Sequence, residues 1–250
     1  MESIVTVGTG GGLAPAAETD GLVAALHARG DFYDLLSSLY FRPLSAEQVE
    51  AFAELDLAPY AQINDTMAEG ANHIGRYLAR RNTATRQELA VDYTAAFGGL
   101  SSHEGLYAVP VESVFTSPEG LMYQQSFHQV HETFQREGIG RAEGFDYPDD
   151  HLSLLFEYLS QQSQRAAALV QEGALQEALR VVSHSAVFSR EHVANWFPRL
   201  RERAGLLLTT RFYRGVLALT QGYLEFDARL LAEAQEELAE RIGLCEREVA

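Results

Sequence analysis

From residue 21 onward, apolar side chains return at three- and four-residue steps, which is the repeat of a helix and not of a strand. Leu22, Val23 and Leu26 begin it, and Phe32, Leu35, Leu36, Leu39 and Tyr40 continue it. Near the other end Phe212, Val216, Leu219, Tyr223, Phe226 and Leu230 mark one face, broadened by Tyr213, Leu217 and Leu224. A stripe that wide belongs to a helix packed on several sides. Strand-like alternation is confined to residues 4–7. The expected fold is therefore all-α, a single-domain helical bundle over residues 21–250 behind a flexible leader at residues 1–20.

Local signals divide the helices. Pro43 stops the first, and Ser45 with Gln48 forms a capping-box pair for the second. A helix is expected over residues 60–81. Thr85 with Glu88 offers another capping box for a helix closed by Gly98-Gly99. Residues 98–120 hold two Pro and four Gly and read as a long irregular stretch, the kind that is often functional. Helices follow over residues 121–137, from about Pro148, and over residues 174–187 after Gly173. Ser189 is expected to cap a further helix containing His192, Trp196 and Phe197, which Pro198 must kink or break. The last long helix starts near Leu206.

Charge narrows the function classes. The chain has 35 acidic and 19 basic residues, every basic one Arg, for a net charge of -16. Such a field repels phosphate backbones and argues against general nucleic-acid binding. It would speed encounter with a basic segment, although solubility alone also accounts for it. The Gly-rich residues 8–12 have no Lys to complete a phosphate loop and lack the third Gly of a dinucleotide fingerprint. The single Cys245 cannot make an intramolecular disulfide. No apolar run reaches membrane-spanning length, and residues 1–20 lack a basic start, so a cytoplasmic protein is expected.

Two motifs carry most of the functional information. In Tyr147-Pro148-Asp149-Asp150-His151, Pro148 holds Tyr147 extended and suits a helix entry. Asp149 and Asp150 then fall at the cap or first turn, with His151 beside them, its charge set by opposing carboxylate and helix-dipole effects. Plain capping and reception of a partner's Arg or backbone are both open readings. In Val109-Pro110-Val111-Glu112-Ser113-Val114-Phe115, Glu112 is either a solvated loop carboxylate or an arginine partner. Tyr93, Phe97, Tyr107 and Phe115 are either core or the lining of a groove, and Trp196 reads as a core anchor. His128 and His131 share a helix face, but Glu132 and Glu137 complete a metal site poorly, so no metal and no cofactor are expected. Asp, His and Ser are available for a hydrolytic triad without anything to gather them.

These segments resemble, in order, the TorD/DmsD/NarJ-type redox-enzyme maturation chaperones. Tyr93-Thr94-Ala95-Ala96-Phe97-Gly98 is similar to the family's aromatic-x-x-Leu-Phe helix end. Val109 to Phe115 resembles its Pro-x-Glu-Ser-Val-Tyr turn, and Phe134-Gln135-Arg136-Glu137-Gly138 its Tyr-x-x-x-Gly ending. Pro148-Asp149-Asp150-His151 resembles its Glu-Pro-x-Asp-His signature, and residues 192–198 its His-x-x-x-Trp-x-Pro element. The resemblance covers about residues 30–230. Tyr147 stands where the family usually has Glu, and Leu155 where a second Glu often follows the His.

The resemblance implies a non-catalytic, all-helical cytoplasmic chaperone. Its partner would be the catalytic subunit of a molybdopterin oxidoreductase, often held by its twin-arginine signal peptide until the cofactor is inserted. It implies a site with Asp149, Asp150, His151, Glu112 and Ser113 at a polar end. Tyr93, Phe97, Phe115, Tyr147 and Trp196 would contribute apolar contacts. The protein would be a monomer or homodimer that binds neither nucleic acid nor membrane. A helical scaffold and a small hydrolase built on Asp150 and His151 are the alternatives.

Overall fold

A computed structural model of the chain describes residues 20–140 and 146–249. The leader's residues 1–19, including the Gly-rich stretch at 8–12 and the alternation at 4–7, lie outside them, as do residues 141–145. The described chain is built of helices: α1 Gly21–Phe41, α2 Ala46–Glu54, α3 Ala58–Ala61, α4 Asp65–Leu78, α5 Thr85–Phe97, α6 Glu112–Thr116, α7 Gln125–Arg136, α8 Leu152–Gln171 and α9 Leu175–Ser189. A π-helical turn, Arg190–Ala194, extends α9, and α10 Phe197–Leu207 and α11 Arg211–Val249 complete the order. Among the described residues no strand forms, and no helix is long and apolar enough to cross a membrane.

Helices α1 and α8 pack along each other, α4 packs along α11, and α9 lies against both α8 and α11. Two apolar clusters result. The larger holds Tyr40, Phe156, Trp196, Phe212 and Tyr213. The smaller holds Leu22, Leu26, Ala166, Val182, Leu231 and Leu238. Helices α1, α8 and α11 contribute to both clusters. At the seam on each of the three sits a buried polar residue: Arg29, Ser163 and Asp227. Arg29 Nε donates to Asp227 Oδ1 at 2.6 Å and its Nη2 to Oδ2 at 3.0 Å, while Tyr33 OH donates to the same carboxylate at 2.7 Å. Arg29 Nη1 also reaches Ser163 Oγ. A bidentate guanidinium–carboxylate pair with further donors and acceptors around it is the form in which a buried ion pair survives desolvation.

Several expected boundaries move, each for a local reason. The helix expected over 60–81 is two, because the Asn64 side chain accepts from Met67 N and starts α4 afresh. Thr85 is not a capping residue. Its hydroxyl accepts from Asn82 N, and Ala84 stands at the N-cap of α5 without a side-chain bond. The helix expected over 121–137 starts only at Gln125. Ser189 caps nothing, since the backbone continues through it into the π turn. Pro198 sits in the first turn of α10, where its missing N–H costs nothing, so it marks a break. The expected start near Leu206 becomes a separate α11 from Arg211. There the buried Asp92 carboxylate accepts from the N–H groups of Thr209 and Thr210 at 2.7 and 3.0 Å. The Ser45–Gln48 capping box forms as the sequence indicates. So does the turn at Gly173, whose φ of 76° suits glycine.

Candidate functional site

The two motifs meet. Val111 and His151 form an isolated antiparallel bridge. Leu152 N donates to Pro110 O at 2.8 Å, and Glu112 N donates to Asp150 O at 2.9 Å. The side chains then lock the junction. Asp150 Oδ2 accepts from Ser113 N at 2.8 Å and from Ser113 Oγ. The Ser113 hydroxyl also lies 3.1 Å from Ser126 Oγ and accepts from Gln124 N at 3.3 Å, which brings in the start of α7. Asp150 therefore serves the short helix α6, supplying acceptors to its first two amides, and not the helix that follows it in sequence. That corrects the expectation for Asp149 and Asp150 at the first turn of α8. The residue at that N-cap is His151, whose Nδ1 accepts from Ser153 N at 3.3 Å.

Burial sets the protonation states here. The His151 imidazole is held down to about 3 by burial, so it is neutral and free to accept at Nδ1. Of the two opposing influences read from the sequence, neither decides; desolvation does. Burial pushes the Asp150 carboxyl up against the opposing pull of its Ser113 bonds. Glu112 is likewise raised by burial. The bonds from His192 oppose that shift, and the neighbouring Asp150 charge adds to it. The reading of Glu112 as a solvated loop carboxylate is overturned, since it is buried in α6.

Glu112 and His192 form the floor of a cleft. His192 Nδ1 lies 3.1 Å from Glu112 Oε2, joining residues 80 positions apart. His192 belongs to the π turn, whose carbonyl at the same residue accepts from Trp196 Nε1 at 2.6 Å. Trp196 in turn stacks on Phe115 of α6 at 5.2 Å. The cleft measures about 630 Å³ between α6–α7 and α9 with its π turn, and Glu132, His184, Phe188 and Glu191 also line it. Pro118 and Gln124, on its rim, flank a loop that exposes Leu121, Met122 and Tyr123. Tyr123 has φ 61°, a conformation that costs an aromatic residue energy and tends to collect at functional loops.

The aromatic wall is corrected. Tyr93, Phe97 and Phe115 are buried in the larger core cluster, and Trp196 is fully buried there as an anchor. Tyr93 OH donates to Tyr40 O at 2.8 Å, and Phe97 packs edge-on to Tyr40 and Tyr213. These rings brace the site from behind and do not line an open trough. Tyr107 is exposed, and Tyr147, at 36 % exposure, stacks on His151 at 4.3 Å. Asp149 is buried, with Oδ2 at 2.7 Å from His131 Nδ1, on the far side of α7 beside a second cavity of about 390 Å³. So the structure gathers Asp150, His151, Ser113, Glu112, Phe115 and Trp196 at one junction. Tyr93 and Phe97 sit deeper, and Asp149 faces the other way.

Sequence reasoning passed over His184 and His192, whose spacing matched no ligand pattern. The cleft shows what they share, since both line it. The only early signal was His192's place in the His-x-x-x-Trp-x-Pro element. Among the described residues no cluster of three or more His, Cys, Asp or Glu is disposed to hold a metal ion.

Comparison with known proteins gives a consistent picture. Residues 61–202 match the family described as nitrate reductase delta subunit. The chain is 22% identical over 210 residues to the chaperone protein TorD of Vibrio vulnificus, covering 81% of this chain and 94% of that protein. It is 24% identical to the chaperone protein TorD of Vibrio cholerae (84% and 94% covered). The corresponding figure for the chaperone protein TorD of Aliivibrio fischeri is 23% (84% and 98% covered).

Proposed function

The chain belongs to the nitrate reductase delta subunit family, whose relatives here are chaperones and not enzymes, and from that membership we propose a specific division of labour within a redox-enzyme maturation chaperone. The client is the catalytic subunit of a molybdopterin oxidoreductase, bound in the cytoplasm through its twin-arginine signal peptide and held until cofactor insertion. The cleft floored by Glu112 is where the client's arginine enters. Its guanidinium displaces His192 from the carboxylate and takes a charge-assisted bond in a site of low dielectric. The exposed Leu121–Met122–Tyr123 loop meets the apolar stretch behind the arginines. Asp150, Ser113 and His151 act as positioning residues that hold α6, and hence Glu112, in place.

The observation that supports this reading best is the Glu112 carboxylate itself. It is a buried acid at the bottom of an accessible cleft, raised by desolvation and held by a histidine. A carboxylate kept in that state gains more from an incoming guanidinium than an exposed one would. The net charge of -16 draws a basic leader toward it. Affinity capture of the tagged chain from cells, followed by mass spectrometry, tests the reading. Recovery of a molybdopterin subunit, reduced at least tenfold in Glu112→Gln, is the expected outcome. Capture of no such subunit by the wild-type chain contradicts it.

A further inference from the structure

A second cleft lies elsewhere on the molecule and has the opposite charge. It measures about 680 Å³ and is formed where the end of α4, the start of α5 and the start of α11 meet. Arg76, Arg80 and Arg211 line it together with Tyr77, Asn82 and Glu88. In a chain with nearly twice as many acids as arginines, three guanidinium groups at one concavity are unexpected. Elsewhere Arg29, Arg81, Arg165, Arg180, Arg190, Arg201 and Arg241 each pair with a carboxylate, Arg42 and Arg203 lie over the Phe41 and Phe115 rings, and Arg214 donates to Leu208 O. Among the described residues Arg76, Arg80 and Arg211 pair with none. The one acid in the cleft, Glu88, accepts from Tyr77 OH at 3.0 Å.

Arg76 stands in the last turn of α4 and Arg80 two residues past its end. The C-terminal dipole of α4 favours both of these, but it does not account for Arg211. Arg211 comes from a different helix, 131 residues beyond Arg80 in the chain. Three guanidinium groups at one concavity against a single carboxylate favour a multiply charged oxyanion as occupant.

We infer that this cleft binds a phosphate-bearing small molecule. Glu88 offsets one of the three positive charges, so a single further carboxylate would leave one unbalanced, whereas a phosphate balances both that remain. Bidentate guanidinium–phosphate geometry suits arginine over the lysine this chain lacks. The cleft is separate from the one that contains Glu112, so the inference stands or falls independently of client binding.

Titration calorimetry of the full chain with inorganic pyrophosphate at low ionic strength tests it. One saturable site is expected, with affinity falling at least tenfold in Arg80→Gln and in Arg211→Gln. Arg180→Gln, on α9 where Arg180 pairs with Glu177, should leave it unchanged. All three side chains are exposed, and circular dichroism checks that the variants stay folded. No saturable heat with pyrophosphate, or wild-type affinity in both Arg80→Gln and Arg211→Gln, overturns the inference. Saturable binding of a hexaglutamate peptide in place of pyrophosphate also overturns it, in favour of an acidic protein partner.

Discussion

At the scale of single residues, His151 shows how far environment overrides composition. Two neighbouring aspartates favour a cation, yet burial keeps the ring neutral and gives it a helix-capping role. Its folded value of about 3 lies below the ordinary 6.5, so the unfolded chain binds the extra proton between those two values. Stability from this group is therefore fully present above pH 6.5 and is lost as pH falls toward 3, at up to about 1.4 kcal/mol per pH unit. His151→Asn keeps a capping side chain without a titrating one. Urea unfolding from pH 7 to pH 4 should show the wild type losing stability relative to His151→Asn, and parallel pH profiles would refute the burial argument. Asp150→Ala should cost about 1–3 kcal/mol by leaving the buried amide of Ser113 without its acceptor. The helix-starting character of Pro148–His151 was legible in the sequence. Which helix Asp150 serves was not, because its partner Ser113 is 37 positions away.

At the scale of helices, packing and propensity make opposing demands. Gly70 of α4 lies so close to α11 that an added Cβ would sit 2.5 Å from Leu219 N and 2.7 Å from Gly215 O, both backbone atoms. Gly75, one and a half turns along the same helix, has nothing within 4 Å of the same position. Gly75→Ala should stabilise by about 0.5–1 kcal/mol through helix propensity. Gly70→Ala should destabilise by about 1–3 kcal/mol because the rigid backbone of α11 cannot yield. Thermal unfolding of the pair checks both signs, and a stabilised Gly70→Ala would contradict the close approach. The helix count was readable wherever a stop or cap is local, as at Pro43, Ser45 and Gly173. It was not readable where the bond partner is distant, as with Asp92 at the start of α11. The π turn at Arg190–Ala194 has no periodic signature at all.

At the scale of the whole molecule, the buried tie among α1, α8 and α11 sits where the two apolar clusters meet. Arg29→Leu leaves Asp227 buried without its counter-charge and should cost about 3–5 kcal/mol. Adding Asp227→Leu should recover much of that loss, since the desolvation penalty disappears with the charge. A double variant no better than the single one in urea unfolding would place the cost in packing instead. The all-helical plan was legible because the apolar spacing runs through almost every segment. The expected groove was legible only in part. The sequence brought Glu112, Asp150 and His151 together, but it could not show that Tyr93 and Phe97 face inward, because aromatic residues at helical spacing serve core and surface alike. The binding surface proposed above instead combines Glu112 and His192, which line the cleft, with the exposed residues Leu121, Met122 and Tyr123.

The central claim is that the Glu112 carboxylate receives an arginine of the client. A calorimetric double-mutant cycle between the full chain and a twin-arginine signal peptide tests it most directly, using Glu112→Gln on one side and Gln in place of both arginines on the other. The predicted result is a loss of about 1.5–3 kcal/mol in Glu112→Gln with the arginine peptide and no difference between the two proteins with the glutamine peptide. Equal affinity of wild type and Glu112→Gln for the arginine peptide would contradict the account.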